Sequence, residues 1–556
     1  MDLQEDLPGH KYRSAKTLPF ELHRHCTIYF EEKLFHQALQ LLLSLLSSNT
    51  IASGPAFIPT PQHLALAATL VVHPSTTTRA KTVEGTQAAN TALQLLRLTN
   101  KLVGPLAAKF DIAFAFTRFS SSRHGGLHRV NGDTEGNDTP LDLETVPLNV
   151  DLAQGGSLWF RSEDFWHAVG WTFNCAVLYP KRWPRWRVWL QYMCDVLEDD
   201  WGERQRLVSN SDYGTATPPS GHILLRESLI FKYISGASGV SGHHRRIVRA
   251  IFADGSSQSL NEFREVFHNE LKEPEKEKEN LKRREVDVDV DQDVFGDYLA
   301  NDDDGVEENG DDAYSTRDSR PSRPKRSRTA ASAPSSNSNG DFSMDPSYKS
   351  PDVAHSDNAS QLGDIASLAL RQRLMQLLSR VSHALPKAYM QVGALYDLLV
   401  EFIRPLPLPT FQLLVSSPML SKFTDNARAT LCETILHRLL DNASSNEGFL
   451  NQNKLETCFL PYAAYTSSAI DNAKVSILLE TMIQLLASNN MLHIQPSLQD
   501  AIEQGIVARS DKSQNDTKKS QGKQKMEESG WVWLIESGER MTYLVTKLSS
   551  KGNEED

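Results

Sequence analysis

The sequence predicts an all-α fold, either an irregular α-solenoid or a set of stacked helical hairpins, interrupted by a long disordered insert that is first acidic and then basic. Three observations support this prediction. Apolar residues recur at steps of three and four near both ends of the chain, strand patterns are nearly absent, and the helical periodicity stops between residues 272 and 361. Because one hairpin is too small to bury its own apolar stripe, neighbouring hairpins are expected to stack.

The composition indicates folded parts joined to a large polar part. Of the 556 residues, 40% are hydrophobic and 23% are charged, and the formal net charge is -12. Proteins dedicated to DNA binding usually carry a basic footprint, so any nucleic-acid contact here would have to be local. The first residues lack the apolar core of a secretion signal, and the apolar runs are too short to cross a bilayer, so we expect a soluble protein without a membrane partner. Five widely spaced cysteines without a CxxC pair indicate reduced, packed thiols.

Residues 1–119 are predicted to form helical hairpins. One apolar stripe runs from Leu34 to Leu45, and a second from Ala88 to Leu102. The pentapeptide ALQLL begins at both Ala38 and Ala92, and its small residue followed by leucines resembles a packing position of tetratricopeptide repeats. The two copies lie 54 positions apart, whereas that repeat has a period of about 34 residues. We therefore predict packing like that of tetratricopeptide or HEAT repeats without a clean repeat.

Residues 120–157 are predicted to form a polar loop and residues 158–271 a tryptophan-rich helical region. In this second region, Ser162 is the predicted N-cap of a helix that Pro180 ends, and Pro184 begins the next helix.

The insert at residues 272–361 contains too little apolar surface to offset the entropy lost on ordering, roughly 1–2 kcal/mol per residue for the backbone. Eight acidic residues lie between Asp297 and Asp312, and a basic cluster without aromatic residues follows. Short Lys/Arg-rich stretches are typical of nuclear localisation, so we predict that an import receptor binds this cluster. Phosphate contact and simple solvation are the alternatives. The predicted import residues are Arg320, Arg323, Lys325, Arg326 and Arg328.

Two further features of the insert have both a functional and a simpler interpretation. The acidic stretch is expected to be a solubilising tether, and the alternative is a ligand for a basic partner such as a histone. Ser350 precedes Pro351 and is therefore a candidate for a proline-directed kinase. Phosphorylation would add a charge of about −1.5 to −2 and could regulate import or partner binding. Such Ser-Pro pairs also occur by chance in polar segments.

Residues 362–508 are predicted to form a C-terminal helical region, followed by a charged linker at residues 509–529. For residues 530–548 the sequence allows a hairpin that turns at Glu536–Glu539. We favour an amphipathic helix, because apolar residues share one stripe despite Gly538.

The tryptophans are the most unusual feature of the composition. Seven of nine lie between Trp159 and Trp201, and the segment KRWPRWRVW (Lys181–Trp189) mixes three of them with basic residues. Such a mixture can bind single-stranded nucleic acid. Because Trp186 and Trp189 fall on an apolar stripe, we favour core packing with the arginines reaching outward. A hot spot for a protein partner is the intermediate interpretation. The candidate contact residues are Lys181, Arg182, Arg185 and Arg187.

No catalytic, cofactor or metal motif is evident. The sequence HRHC at His23–Cys26 offers three ligands, but consecutive side chains on a helix diverge and no second ligand pair is present. His167 and Cys175 lie eight positions apart, so they do not form a nucleophile–base pair by themselves. We therefore predict no enzymatic activity, no cofactor and no metal.

Together these patterns favour a non-enzymatic nuclear scaffold or adaptor that binds protein partners through helical surfaces, in a chromatin, genome-maintenance or transcription assembly. The nuclear assignment depends on the basic cluster alone. Two alternatives stay open. One is a ribosome-biogenesis or RNA-associated factor that uses the Trp/Arg segment, and the other is an enzyme whose site is assembled from distant residues.

Overall fold

Most of the described chain is helical. The computed structural model describes residues 12–48, 54–116, 148–211, 220–236, 243–272, 361–416, 423–440, 450–514 and 521–552. Helices contain 72% of these residues and strands 2%, which confirms the prediction of a mostly helical fold. No helix in the described ranges combines the length and the apolar character needed to cross a membrane. The predicted disordered insert lies outside the described residues except for its first and last positions.

The N-terminal region is a layered set of helices. Helices α2 and α3 both pack on α4, and α7 packs on α8 and α11. Thr82 caps the start of α4, and Gly104 ends that helix with a φ of 83°, a left-handed conformation that glycine adopts without strain. The helices are α1 (Phe20–Glu31), α2 (Phe35–Ser47), α3 (Pro61–Val72), α4 (Val83–Val103), α5 (Phe110–Ala113), α6 (Leu158–Arg161), α7 (Phe165–Leu178), α8 (Trp183–Ser211), α9 (Ser220–Arg226), α10 (Leu229–Gly236), α11 (His243–Ile251) and α12 (Ser257–Glu262).

A small parallel sheet is present where no strand was predicted. Strand β1 (Ala15–Thr17) pairs with β2 (Ala56–Ile58), with Ala15 opposite Ala56. Strands of three residues are too short to show an alternating pattern in the sequence. Strand β2 packs on α2 and α4.

The C-terminal region continues the helical packing. Helix α20 packs along α18, where the carboxylate of Glu480 accepts hydrogen bonds from Ser537 Oγ at 3.0 Å and from Arg540 Nε at 3.0 Å. The helices are α13 (Ile365–Ala384), α14 (Val392–Ile403), α15 (Leu408–Ser416), α16 (Asp425–Leu439), α17 (Gln452–Lys454), α18 (Ala469–Ser488), α19 (Pro496–Gln514) and α20 (Gln521–Gly552). A π-helical turn, Leu455–Phe459, follows α17.

Residues on both sides of the insert belong to one compact unit. Helix α13 packs on α8, and Arg373 of α13 forms ion pairs with Asp195 and Glu198 of α8 at 2.7 and 2.8 Å. Arg371 is fully buried and donates hydrogen bonds to the backbone carbonyls of Ile251, the last residue of α11, and of Ala253, two residues later. Two arginines of one helix therefore hold the C-terminal region against the N-terminal region.

The structure describes the ends of two segments that were predicted to be irregular. At the end of the predicted polar loop, Leu148 and Val150 are buried and a 3-10 turn at Asp151–Ala153 packs on α3. At the two ends of the predicted charged linker, α19 extends to Gln514 and α20 begins at Gln521. Lys, Gln and Glu are good helix formers, so charge alone does not interrupt a helix that is packed at its other end.

Candidate functional site

The tryptophans between Trp159 and Trp201 belong to the core. All seven are buried, and the most exposed of them, Trp183, is 7% exposed. Trp186 and Trp189 lie edge to face with ring centroids 5.4 Å apart. Indoles in these positions cannot stack on the bases of a nucleic acid without unfolding the region.

Arg182 points into the same core. It is 2% exposed and forms an ion pair with Glu270, with its Nε 2.7 Å from Oε1. Its Nη1 donates to Thr77 Oγ1 at 2.9 Å and to Thr78 Oγ1 at 3.1 Å. This placement corrects the prediction for Arg182, because a buried and fully bonded guanidinium is not available to an external partner.

Glu270 is the centre of this buried network. Besides Arg182, it accepts hydrogen bonds from the indole nitrogens of Trp171, at 3.1 Å, and of Trp186, at 2.6 Å. Glu270 is 2% exposed, so its charge is stabilised by these donors rather than by water. It lies two positions before the predicted insert.

The C-terminal flank of the insert is held by Trp183, the residue that follows Arg182 in the chain. Trp183 donates its indole N–H to Asp364 Oδ2 at 2.9 Å, and Asp364 also caps α13 by accepting from the backbone N–H of Ser367 at 2.8 Å. We call the set of Arg182, Trp183, Trp186, Glu270 and Asp364 the insert anchor. Because Arg182, Trp183 and Trp186 span only five positions, both flanks of the insert lie at one end of α8.

The remaining basic candidates differ in their exposure. Arg185 is half-buried and donates to Asn90 Oδ1 of α4 at 2.8 Å. Burial, and then the charge of Arg182, lower the pKa of Arg185. Arg187 is also half-buried, and Lys181 is exposed. Arg185 thus contacts a neighbouring helix, whereas a partner contact by Lys181 or Arg187 stays a prediction.

The histidines and cysteines singled out in the sequence have separate environments. The His23 ring lies against the ring of the buried His63, with the centroids 5.4 Å apart and the planes tilted by 37°. His167 is buried, with Nδ1 3.1 Å from Ser162 Oγ, and the N-cap of α7 is Asp164 rather than the predicted Ser162. Burial raises the pKa of the Cys175 thiol well above its ordinary value, so this thiol is protonated and a poor nucleophile.

All five cysteines are buried free thiols. Among the residues that the structure describes, no three His, Cys, Asp or Glu side chains are grouped so that they could hold a metal ion.

The import residues Arg320–Arg328 and the phosphorylation candidate Ser350 lie outside the described residues. Glu270 and Asp364, the two acids that flank the insert, were not among the residues predicted from the sequence. Both acids lie close to a position where the helical periodicity of the sequence stops or resumes, and this position could have marked them as candidates. Their pairing with one tryptophan segment could not be read from the sequence, because about 90 residues separate them.

No protein-family model matches the chain, and no curated protein is similar to it in sequence.

Proposed function

We propose that this protein is a non-enzymatic nuclear scaffold or adaptor, built from stacked helical hairpins, that holds protein partners in a chromatin, genome-maintenance or transcription assembly. In this proposal the helical body binds partners through its surfaces, and the insert at residues 272–361 carries the address for import. Its basic cluster, Arg320–Arg328, is the part that an import receptor binds.

The observation that carries the proposal is the insert anchor. The aromatic and basic segment at the start of α8, on which the RNA-associated alternative rests, is used inside the protein to hold Glu270 and Asp364. Its indoles are therefore not available for base stacking. The charged sequence between those two acids is connected at both ends to one folded unit, an arrangement suited to a recognition segment carried by a scaffold.

The charge order within the insert gives the proposal two further parts. The acidic residues between Asp297 and Asp312 can attract a basic partner such as a histone, while the basic cluster attracts an import receptor. Phosphorylation of Ser350 would add negative charge downstream of the basic cluster and weaken the binding of import receptors.

The import step is tested by localisation of the tagged full chain. Alanine at Arg320, Arg323, Lys325, Arg326 and Arg328 should move the protein from the nucleus to the cytosol. A control with lysine in place of the four arginines keeps the charge and should remain nuclear. An alanine variant that stays nuclear would remove the import role of this cluster.

The adaptor step is tested by purifying the tagged protein with its partners, with and without nuclease treatment of the extract. We expect the same protein partners in both samples, because helical surfaces bind them directly. Partners that disappear after RNase treatment would favour the RNA-associated alternative.

A further inference from the structure

A groove opens beside strand β1 in the N-terminal region. It has a volume of about 240 Å³, and residues of β1, β2, α1, the start of α3 and the turn before α5 line it. Its wall is mostly apolar and includes Leu18, Ile58 and Phe20, of which Phe20 is 56% exposed. Sites that enclose a whole small molecule usually have about 300–1,000 Å³. We therefore expect this groove to take single side chains of a larger partner.

The wall of the groove contains a buried hydroxyl. Thr60 is 8% exposed, and its Oγ1 has no hydrogen-bond partner within the described part of the chain. Buried hydroxyls are normally bonded to protein or to ordered water. Thr60 therefore offers a hydrogen bond to a polar group of a partner that enters the groove.

The outer edge of β1, next to this groove, is open. The backbone N–H of Ala56 on β2 donates to the carbonyl of Ser14. Successive residues of a strand direct their backbone groups to opposite sides, so those of Ala15 and Thr17 point away from β2. All three residues of β1 are exposed, and no described group bonds to the backbone of Ala15 or Thr17 at this edge. An unpaired strand edge is a template for pairing with another chain.

The two faces of β1 require different residues in an added strand. Thr17 lines the groove, whereas Lys16 lies on the opposite face, where its Nζ is 5.4 Å from the centre of the Phe57 ring. The groove has two basic residues in its lining, His23 and Lys109, and no carboxylate among its described lining residues, so it does not repel an acidic peptide. Because side chains alternate along a strand, the matching peptide alternates apolar residues for the groove with acidic residues for Lys16.

We propose that the open edge of β1 and the adjoining groove bind an extended segment of a partner protein in which apolar and acidic residues alternate. The backbone of this segment pairs with Ala15 and Thr17, its apolar side chains enter the groove, and its acidic side chains face Lys16. A second copy of β1, with the sequence AKT, matches this site poorly, because it carries a cation and no acidic residue.

The inference rests on the proposed adaptor function, since it names the kind of segment that the helical body holds. The two can fail separately. If the partners are recovered with and without nuclease but an alternating peptide does not bind, this inference is overturned and the adaptor proposal stands. If the peptide binds at β1 but no partners are recovered, the adaptor proposal fails and the binding site stands.

The first test is binding of a synthetic peptide to the purified full chain. The probe is a fluorescein-labelled peptide in which four isoleucines alternate with three glutamates, and fluorescence anisotropy measures its Kd. We expect saturable binding. A peptide of the same composition with its glutamates grouped together should bind about tenfold more weakly, because it cannot present one kind of residue to each face of β1. Equal Kd values for the two peptides would overturn the proposal.

Backbone methylation tests the strand pairing itself. Only alternate residues of an added strand direct their backbone N–H groups at its neighbour. Methylating the backbone nitrogens of one alternate set should therefore weaken binding about tenfold, whereas methylating the other set should have little effect. Equal Kd values for the two methylated peptides would contradict the pairing.

Hydrogen–deuterium exchange locates the bound peptide. Saturation with the alternating peptide should slow exchange at the backbone amides of Ala15 and Thr17 about tenfold or more, because hydrogen bonds to an added strand protect them. The amide of Lys16 faces β2 and should exchange at the same rate with and without peptide. Unchanged exchange at Ala15 and Thr17 would overturn the proposal. Protection that rises with protein concentration in the absence of peptide would also overturn it, because the occupant would then be a second copy of the chain.

A charge reversal tests the acidic part of the match. Lys16→Glu should weaken binding of the alternating glutamate peptide about threefold to tenfold, and should favour a peptide with lysines in place of the glutamates. Lys81→Glu, at an exposed lysine before α4, is the matched control and should bind like the natural protein. Equal binding of the glutamate peptide to the Lys16→Glu variant and the natural protein would contradict the contact with Lys16.

Discussion

The two flanks of the insert use the same kind of contact in different surroundings. On each side a carboxylate accepts an indole N–H from one segment of α8, from Trp186 for Glu270 and from Trp183 for Asp364. Glu270 is 2% exposed and neutralised by Arg182, whereas Asp364 is exposed and caps a helix. From this comparison we expect that burial, rather than the hydrogen bond itself, decides how much each contact contributes to stability.

The largest expected effect is at the buried flank. Glu270→Ala leaves Arg182 charged and unpaired in the core, which should lower the free energy of unfolding by about 3–5 kcal/mol. Urea unfolding followed by tryptophan fluorescence measures this directly, since seven tryptophans lie in this region.

A double variant separates the unpaired charge from the lost packing. If the unpaired charge is the main cause, E270L combined with R182M should recover part of the loss, because an apolar pair has no charge to desolvate. The recovery should be incomplete, since the indole N–H groups of Trp171 and Trp186 lose their acceptor in both variants. A single variant as stable as the natural protein would show that the ion pair does not stabilise the flank.

An intermediate loss of stability is expected at Arg371 of α13, the helix that Asp364 caps. Arg371 is fully buried, lies over the Phe173 ring at 4.0 Å and donates to the carbonyls of Ala253 and Leu362. Arg371→Met removes the donor to the Ala253 carbonyl and one of the two donors to the Leu362 carbonyl, which keeps a serine hydroxyl. This change should cost about 2–3 kcal/mol. The exposed Arg380 on the same helix is the matched control, and Arg380→Met should change stability by less than about 0.5 kcal/mol. Similar losses in the two variants would contradict the role of Arg371 in joining the regions.

The smallest effect is expected at Asp364. Asp364→Ala removes the N-cap of α13 and the acceptor for Trp183, and should cost about 1 kcal/mol in thermal or urea unfolding. Asp364→Asn keeps a capping oxygen, so its loss should be only a few tenths of a kcal/mol. If Asp364→Ala were as damaging as Glu270→Ala, exposure would not explain the difference between the flanks.

The sequence allowed a prediction of which face of a helix is buried. The stripe on Trp186 and Trp189 correctly indicated a core position, because helical periodicity reports which face is buried. The outward direction expected for Arg182 was wrong, since periodicity does not tell whether a long cation reaches outward or pairs inside. The burial of Leu148 and Val150 beside a polar segment could not be predicted, because composition says little about the neighbours that pack on a residue.

The sequence by itself determined that this protein is mostly helical, since the spacing of apolar residues depends only on the local geometry of the chain. It also determined the order of acidic and basic residues in the insert, on which the import proposal depends. Only the tertiary structure decided that one short segment of α8 holds acids on both sides of that insert. The physical reason is that Glu270 and Asp364 meet α8 through contacts between residues far apart in sequence, and such contacts leave no periodic pattern.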